Sequence, residues 1–347
     1  MAAAFLRSLV MAPLWLAQLA TGAKSRLDNP IIGSRRLNAR GLHAGRVRLA
    51  AALAAWRRRR LAAQVRPEWL EQFARDGFVV VPEVVPPAEF PALAQAILTY
   101  RGEAREMQQG DAITRRMAID PAMLAAIPAL ARLLARPDIV ALFNYVASFR
   151  TTPLHYVQTI VSQVEADHAD PQETAHADSF HSSLKAWLFL RDVSAEDGPF
   201  SYARGSHRLS PERLAWEHAR SQVDPRSIDR LSARGSPRVG AAELAAMGLA
   251  PPEPMPLPAN TLVVADMMGF HARTASARPG ERVEIWSYAR RNPFLPWLGG
   301  DLLSLPGLAE RRVGAVWKLR DRLAGLLGQP WRPVGTRTPV TFDDPAS

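Results

Sequence analysis

The stretch HADSFHSSLKAWLFL, residues 176–190, decides how we interpret the rest of the chain. It places His176 and Asp178 on one short turn and follows them with LKAWLFL, a segment typical of a buried strand. A distant segment, GFHARTASARPGERVEIW at 269–286, carries His271. Two histidines and one carboxylate can occupy one face of an octahedral Fe(II) ion and leave the opposite face open. We therefore expect His176, Asp178 and His271 to be metal ligands.

Other residues compete for these roles. The chain has no cysteine, so any metal must be bound by nitrogen or oxygen, which favours iron, manganese or a zinc site of that type. A second His-x-Asp pattern, His168 with Asp170, lies in the acidic segment EADHADPQE, which is typical of a surface loop. His181 is a spare candidate for a ligand, and Asp266 is a competing carboxylate that is expected to cap or orient a turn.

Arg282 follows His271 by eleven positions and begins the strand VEIWSYA. If the open face of the metal takes 2-oxoglutarate, the far carboxylate of that cosubstrate needs a partner deep in the fold. A guanidinium suits this role because it binds a carboxylate bidentately and stays charged. Trp187, on the strand after the His-x-Asp turn, is expected either to line the same pocket or to pack in the core.

Hydrophobic periodicity predicts an α+β fold in which helices come first and short strands follow. Helices are predicted for 42–65, 87–105, 121–134, 212–220, 241–248 and 308–327, and a helix or strand for 139–145. Strands are predicted for 77–85, 156–165, 184–193, 199–203, 260–265 and 283–289. Short strands around a histidine site are typical of a double-sheet jelly roll of the cupin type. The last fifteen or so residues are expected to be loose.

The chain of 347 residues is predicted to divide into three parts. Residues 1–65 form a basic helical extension, 66–302 a catalytic domain, and 303–347 an amphipathic helix with a tail. The extension includes the run Arg57-Arg58-Arg59-Arg60, and its second helix is expected to be basic on its outer face. Its first helix has three open interpretations: a helix packed on the protein, a helix on a membrane surface, or a cleaved signal.

The formal net charge of +10 owes more to arginine than to lysine. A basic arm can contact nucleic acid or anionic lipid, although an arginine-rich solvated helix is an equally good explanation. We expect a small-molecule substrate, no specific nucleic-acid partner, and a cytoplasmic location that leaves peripheral membrane contact open. The sequence does not fix the oligomeric state.

Two longer motifs resemble the phytanoyl-CoA dioxygenase family over roughly 75–291. They are HADSFHSSLKAWLFLRDVSAEDGPFSYARGSH and ADMMGFHARTASARPGERVEIW. The resemblance implies a double-stranded β-helix, with His176, Asp178 and His271 as iron ligands. It also implies that 2-oxoglutarate is bound by three residues, Arg282, Trp187 and Arg273. Arg204 stands where the family motif usually has proline.

These observations predict an oxygenase that uses Fe(II), 2-oxoglutarate and O2 to hydroxylate a small-molecule or lipid-like substrate, releasing succinate and CO2. Asp178 argues against a halogenase, which keeps that ligand position free for halide. Two alternatives remain open. One is a cupin-like metal-dependent hydrolase or isomerase with the same three ligands, and the other is a non-catalytic protein that binds membrane surfaces through its basic ends.

Overall fold

A computed structural model describes residues 2–162 and 170–340 of the chain, and helices precede most of the strands. The helices are α1 (Ala2–Leu19), α2 (Arg35–Ala39), α3 (Leu42–Leu61), α4 (Pro67–Asp76), α5 (Phe90–Leu98), α6 (Pro121–Ala126), α7 (Pro128–Leu134), α8 (Pro137–Ala147), α9 (Pro211–Gln222), α10 (Arg230–Ala233), α11 (Ala241–Ala246), α12 (Arg312–Arg322) and α13 (Ala324–Leu327). The strands are β1 (Phe78–Val81), β2 (Gly102–Gln109), β3 (Ala112–Ala118), β4 (Leu154–Ser162), β5 (Leu184–Phe189), β6 (Phe200–Tyr202), β7 (Glu253–Pro254), β8 (Leu262–Asp266), β9 (His271–Arg273), β10 (Gly280–Ala289) and β11 (Arg332–Arg337).

The strands form two antiparallel sheets. The large sheet has eight strands in the order β1-β8-β5-β10-β4-β3-β2-β11, and the small one has three in the order β7-β6-β9. Trp187 of the large sheet packs against Phe200 of the small sheet with ring centroids 4.4 Å apart, so the two sheets face each other. Two facing antiparallel sheets are the arrangement of a double-sheet jelly roll. The predicted α+β class with a jelly-roll core is confirmed.

Strand β10 shows how the large sheet separates two environments. Val283 and Ile285 point to one face and pack with helices α4 to α8 in the main hydrophobic core. Arg282, Glu284 and Trp286 alternate with them, because successive side chains of a strand point to opposite faces. The polar residues of this strand therefore lie between the two sheets, where the candidate site is.

Helix α3 packs against α8 and α9, so the N-terminal segment lies directly on the fold. Arg48, Arg59 and Arg60 are exposed on this helix, as expected of a basic outer face, but Arg46 and Arg57 are buried on its inner side. Arg46 donates to the carbonyls of Leu19, Thr21 and Ala23, and Arg57 to those of Ser148, Pro293 and Leu295. These backbone carbonyls accept the hydrogen bonds that the buried guanidinium groups must donate.

Several elements differ in their bounds or their type from the prediction. The helix predicted for 87–105 stops at Leu98, and β2 begins at Gly102. The helix predicted for 121–134 is two helices that break before Pro128, and 139–145 lies within the helix α8. Residues 332–337, expected to be loose, form β11, which pairs with β2 at the sheet edge. The three-part domain division stays a prediction.

Candidate metal centre

The backbones of the two predicted ligand segments pair directly. His176 N donates to His271 O, and His271 N donates to His176 O, each at 2.9 Å. This pairing brings one nitrogen of each ring and a carboxylate oxygen of Asp178 to within 4.8 Å of one another. Asp178 Oδ1 is 3.7 Å from His176 Nε2 and 3.7 Å from His271 Nε2. Metal–ligand bonds of about 2.1 Å allow two ligands of one ion to be up to about 4.2 Å apart, so both separations fit a single ion.

Hydrogen bonds orient both imidazole rings. His176 Nδ1 is 2.8 Å from Thr174 O, and His271 Nδ1 is 3.0 Å from Gly269 O. Since a carbonyl only accepts, each Nδ1 must carry the proton, and each Nε2 keeps its lone pair. His271 Nε2 is buried without a hydrogen-bond partner among the described residues. A buried nitrogen that needs an electron-pair acceptor fits a metal ligand.

Burial also favours the neutral rings that a metal requires. It lowers the pKa of His271 to about 4 and the pKa of His176 well below its ordinary value. Asp178 behaves differently: burial is the largest single effect and acts to raise its pKa, but Lys185 and the two histidines together lower the pKa below its ordinary value. Lys185 Nζ lies 2.6 Å from Asp178 Oδ2. The site therefore presents two neutral imidazoles and one anionic carboxylate at neutral pH.

A cavity of about 170 Å³ adjoins the histidines and contains the other predicted site residues. Trp187, Arg273 and Arg282 all line it, as do Lys185 and Arg116. The cavity lining is rich in cations, which suits an anionic small molecule.

Arg282 is not free in this cavity. Its Nε donates to Glu284 Oε2 at 3.0 Å, and its Nη1 donates to Gly198 O at 2.6 Å. Glu284 is fully buried and accepts from Gln158 Nε2 at 2.7 Å; burial raises the pKa of this carboxyl despite the arginine beside it. Part of the guanidinium is thus bonded to the protein, and within the described residues Nη2 makes no hydrogen bond and could contact a ligand.

Arg116 is a second guanidinium at the same end of the cavity. Its Nε donates to Gln158 Oε1 at 2.8 Å, and its Cζ lies 4.0 Å from the ring centroid of Trp286 and 4.4 Å from that of Trp331. Burial lowers its pKa to about 10, so it stays charged at neutral pH. Arg116 is held by aromatic contacts and one amide, and neither terminal nitrogen makes a hydrogen bond to the part of the chain that the structure describes.

Arg273 lines the cavity but contacts acidic residues. It forms an ion pair with the buried Asp170, and Asp111 Oδ1 is 3.7 Å away. Asp170 is therefore engaged with Arg273 rather than with the three-residue cluster. Its partner in the alternative motif, His168, lies outside the described residues.

The other competing residues also lie outside the cluster. His181 Nδ1 is 3.0 Å from Ser182 O, and burial lowers the pKa of this ring to about 3. Asp266 is fully buried, and its carboxylate accepts from the backbone of Ser183 and Met268. The expected orienting role of Asp266 agrees with these bonds.

Sequence reasoning missed Lys185, Glu284 and Arg116. Signals existed for two of them: Lys185 precedes Trp187 by two positions on one strand, and Glu284 follows Arg282 by two. Alternation therefore places each of them on the inward face beside a predicted site residue. No sequence pattern indicated a site role for Arg116, because the hairpin of β2 and β3 was not predicted.

The comparisons with known proteins agree with the motifs. Residues 73–275 match the family described as phytanoyl-CoA dioxygenase, a range that contains the three clustered residues and ends before Arg282. No curated protein matches this chain.

Solved structures give weaker likenesses. The epimerase SnoN in complex with Fe3+, α-ketoglutarate and nogalamycin RO is 23% identical, with a TM-score of 0.43, and the match covers 71% of this chain and 91% of that one. The α-ketoglutarate-dependent carbocyclase SnoK from nogalamycin biosynthesis is 20% identical, with a TM-score of 0.40 and coverage of 67% and 85%. HygX from Streptomyces hygroscopicus with nickel and 2-oxoglutarate bound is 18% identical, with a TM-score of 0.43 and coverage of 65% and 87%. At these scores the likeness bears on neither reaction nor substrate.

Proposed function

The chain belongs to the phytanoyl-CoA dioxygenase family, and on that premise we propose that it is an Fe(II)- and 2-oxoglutarate-dependent oxygenase that hydroxylates a small molecule. The observation that carries the proposal is the pairing of the His-Asp-His cluster with a cation-lined cavity beside it. In the overall reaction, substrate C–H, 2-oxoglutarate and O2 give substrate C–OH, succinate and CO2. The bound iron and cosubstrate supply the oxidising chemistry, and the protein supplies positions and charges.

His176, Asp178 and His271 are the proposed iron ligands. The neutral rings offer Nε2, and Asp178 offers Oδ1 while Lys185 holds Oδ2. The hydrogen bonds at Nδ1 keep the rings aimed at the common point. Two neutral donors and one anion suit a divalent ion that must keep positions open for other ligands.

Arg282 and Arg116 are the proposed partners of the far carboxylate of 2-oxoglutarate. Arg282 has one terminal nitrogen free of its bonds to Glu284 and Gly198, so a second cation strengthens the site. Arg116 provides it, because its hydrogen bond to Gln158 uses only Nε. Trp187 supports the wall of the cavity, and Arg273, which also lines it, is the proposed polar contact nearer the metal.

A second cavity of about 480 Å³ is the proposed site for the body of the substrate. Tyr288, Leu303, Leu308 and Val316 are among the residues that line it. Tyr288 stacks on Trp286 with ring centroids 5.6 Å apart and planes tilted by 5°, and Trp286 lines the cofactor cavity. The stacked pair has one ring lining each cavity, and the apolar lining of the second cavity supports a substrate with an apolar portion.

Helix α1 is the proposed point of peripheral membrane contact. Val10 and Leu14 are exposed on it one turn apart and share a face, and Leu16 is exposed on another side. An apolar helix face can lie in the lipid interface, especially near basic residues. In the parts of the chain that the structure describes, no helix combines the length and apolar character needed to span a bilayer.

The oxygenase proposal is tested by an anaerobic titration of the apoprotein with Fe(II) and then 2-oxoglutarate, followed by visible absorption for a metal-to-ligand charge-transfer band. Air is then admitted and succinate is measured. We expect a band and succinate from the wild type, and neither from Asp178→Ala. A hydrolase or isomerase with the same ligands would bind metal but neither bind nor consume 2-oxoglutarate, which would refute the proposal.

A further inference from the structure

The N-terminal helix α3 lies outside the region that matches the family, yet one of its arginines reaches the buried carboxylate of Asp266, five residues before His271. Arg58 Nη2 donates to Asp266 Oδ2 at 2.7 Å. The Arg58 side chain is 15% exposed and that of Asp266 is fully buried. The run 57–60 is therefore not a uniform solvated patch, and Arg58 supplies the countercharge of a buried carboxylate.

Asp266 joins the two segments that carry the proposed metal ligands. Its Oδ1 accepts from Ser183 N at 3.1 Å and from Met268 N at 3.0 Å. Ser183 follows Asp178 by five residues, and Met268 precedes His271 by three. The same carboxylate thus holds the segment after one ligand and the segment before another.

Backbone bonds continue this connection to the ligands themselves. Asp178 N donates to Met267 O at 3.0 Å, and Met267 N donates to Ser183 O at 2.9 Å. A shift of the turn at 266–268 would therefore move the backbone of Asp178. His271 lies on the same chain segment as this turn, so the same shift would also change the position of His271 relative to Asp178.

Arg58 is itself fixed by the end of α8. Its Nε donates to Tyr145 O at 3.1 Å, and its Nη2 donates to Val146 O at 2.7 Å. Its guanidinium also lies 4.6 Å from the ring centroid of Phe73. Carbonyls at the C-terminal end of a helix favour a cation. The guanidinium is therefore a fixed anchor rather than a mobile surface charge.

We infer that Arg58 is a positioning residue for the metal centre, acting through Asp266. It holds the buried carboxylate in the geometry that aligns the Asp178 and His271 segments. This inference rests on the proposed metal role of those residues. It assigns a function at the metal centre to the extension before residue 66, which is outside the family match.

Neighbouring arginines of the same helix provide matched controls. Arg59 and Arg60 are exposed, so their loss should change neither folding nor metal binding. Arg57 is buried like Arg58, but it donates to Ser148 and to the carbonyls of Pro293 and Leu295, and none of these bonds is to a ligand segment. A variant of Arg57 therefore reports general destabilisation without a direct effect on the site.

The test compares Arg58→Gln, Arg58→Lys, Arg57→Gln and Arg59→Gln as metal-free proteins. Circular dichroism measures folding, and titration with Co(II), followed by its visible spectrum, measures affinity and coordination. We expect Arg58→Gln to weaken Co(II) binding about 10-fold, the lower end of the loss when direct partners of metal ligands are removed, because Arg58 acts one contact further out through Asp266. Arg58→Lys should recover part of the affinity, and the Arg57 and Arg59 variants should bind as the wild type does at a temperature where all are folded.

If Arg58→Gln binds Co(II) with wild-type affinity and spectrum, the inference is wrong. If that variant does not fold, the double variant Arg58→Gln/Asp266→Asn, which removes the buried charge, is tested instead. Wild-type Co(II) affinity in the double variant would also overturn the inference. Failure of the wild type to bind Co(II) would instead overturn the proposed metal centre. The two failures are thus distinguishable.

Discussion

Lys185 Nζ lies 2.6 Å from Asp178 Oδ2, while the other oxygen of the same carboxylate faces both histidines at 3.7 Å. The two oxygens of Asp178 thus have different environments. An ammonium that occupies Oδ2 favours binding of a metal through Oδ1 alone. Binding through one oxygen leaves more of the metal's coordination positions for cosubstrate and oxygen.

Lys185→Gln should weaken metal binding about 10-fold or more, with a larger loss at acidic pH. Lys185 opposes the effect of burial, which by itself raises the pKa of Asp178. Without the ammonium the pKa of Asp178 rises, protons compete with the metal, and affinity falls further as pH falls. Co(II) titrations at pH 8 and pH 6 measure this difference. Lys318→Gln, an exposed lysine on α12, is the control, and an equal loss at both pH values would contradict the explanation.

Arg282→Ala should raise the KM for 2-oxoglutarate far more than it weakens iron binding. It should also destabilise the protein by about 3–5 kcal/mol, because Glu284 stays buried without its cation. The double variant Arg282→Ala/Glu284→Gln should recover most of that stability but not the KM. Arg278→Ala, an exposed arginine paired with Asp197, is the control for loss of charge. If iron affinity falls and the KM does not change, the role of Arg282 is wrong.

Arg116→Gln should raise the KM for 2-oxoglutarate about 10-fold or more, since a hydrogen bond to a charged group contributes about 1.5–3 kcal/mol. The informative measurement is a comparison with the 5-methyl ester of 2-oxoglutarate, which lacks the far carboxylate. Its binding should be weak and insensitive to Arg116→Gln. If the ester and the diacid lose affinity equally, Arg116 shapes the cavity but does not bind the carboxylate.

The clustering of the three proposed metal ligands could be predicted from sequence because their signals are local. His176 and Asp178 stand on one turn before a strand, and His271 follows another strand. Strand alternation then determines which side chains face inward, as for Trp187 and Arg282. Trp187 and Arg282 lie on β5 and β10 of the large sheet, whereas His271 lies on β9 of the small sheet, so their meeting depends on the two sheets facing each other.

The positions of Arg116 and Arg58 could not be predicted, because they depend on strand pairing and long-range contacts that no local sequence pattern indicates. GEAREMQQ in β2 contains residues that favour helices, and it is a strand because it lies between β3 and β11. Missing this hairpin hid Arg116. The position of Arg58 was missed for a similar reason: a run of four arginines indicates a solvated surface unless the buried acceptors, here Asp266 and the end of α8, are known.

The metal-free protein should lose stability as the pH falls from 6.5 towards 4. Burial lowers the pKa of His155, His207 and His271 to about 4, from an ordinary value of 6.5. In that window the unfolded chain binds protons that the folded protein does not, so each such histidine reduces the free energy of unfolding by about 1.4 kcal/mol per pH unit. Thermal denaturation at pH 7.5 and pH 5.5 should show a lower Tm at the lower pH.

His155→Gln tests the origin of this slope. Glutamine can still bond to Ser287 Oγ, which is 2.7 Å from His155 Nδ1, but it does not titrate. The decrease of Tm between the two pH values should therefore be smaller in this variant. An unchanged decrease would show that His155 does not contribute to the acid sensitivity.

The exposed face of α1 should determine any binding to lipid vesicles. Val10, Leu14 and Leu16 present apolar surface to solvent, whereas two of the four arginines at 57–60 are turned into the protein and cannot contact lipid headgroups. Flotation with vesicles of phosphatidylglycerol and phosphatidylcholine should therefore depend on the apolar residues. We expect Val10→Ser/Leu14→Ser to abolish flotation, and Arg59→Gln/Arg60→Gln to weaken it only in the anionic vesicles and at low salt, because surface charges are screened. Flotation of the serine variant at the wild-type level would locate lipid binding elsewhere, and the exposed leucines at 302, 303 and 305 would then be the next surface to substitute.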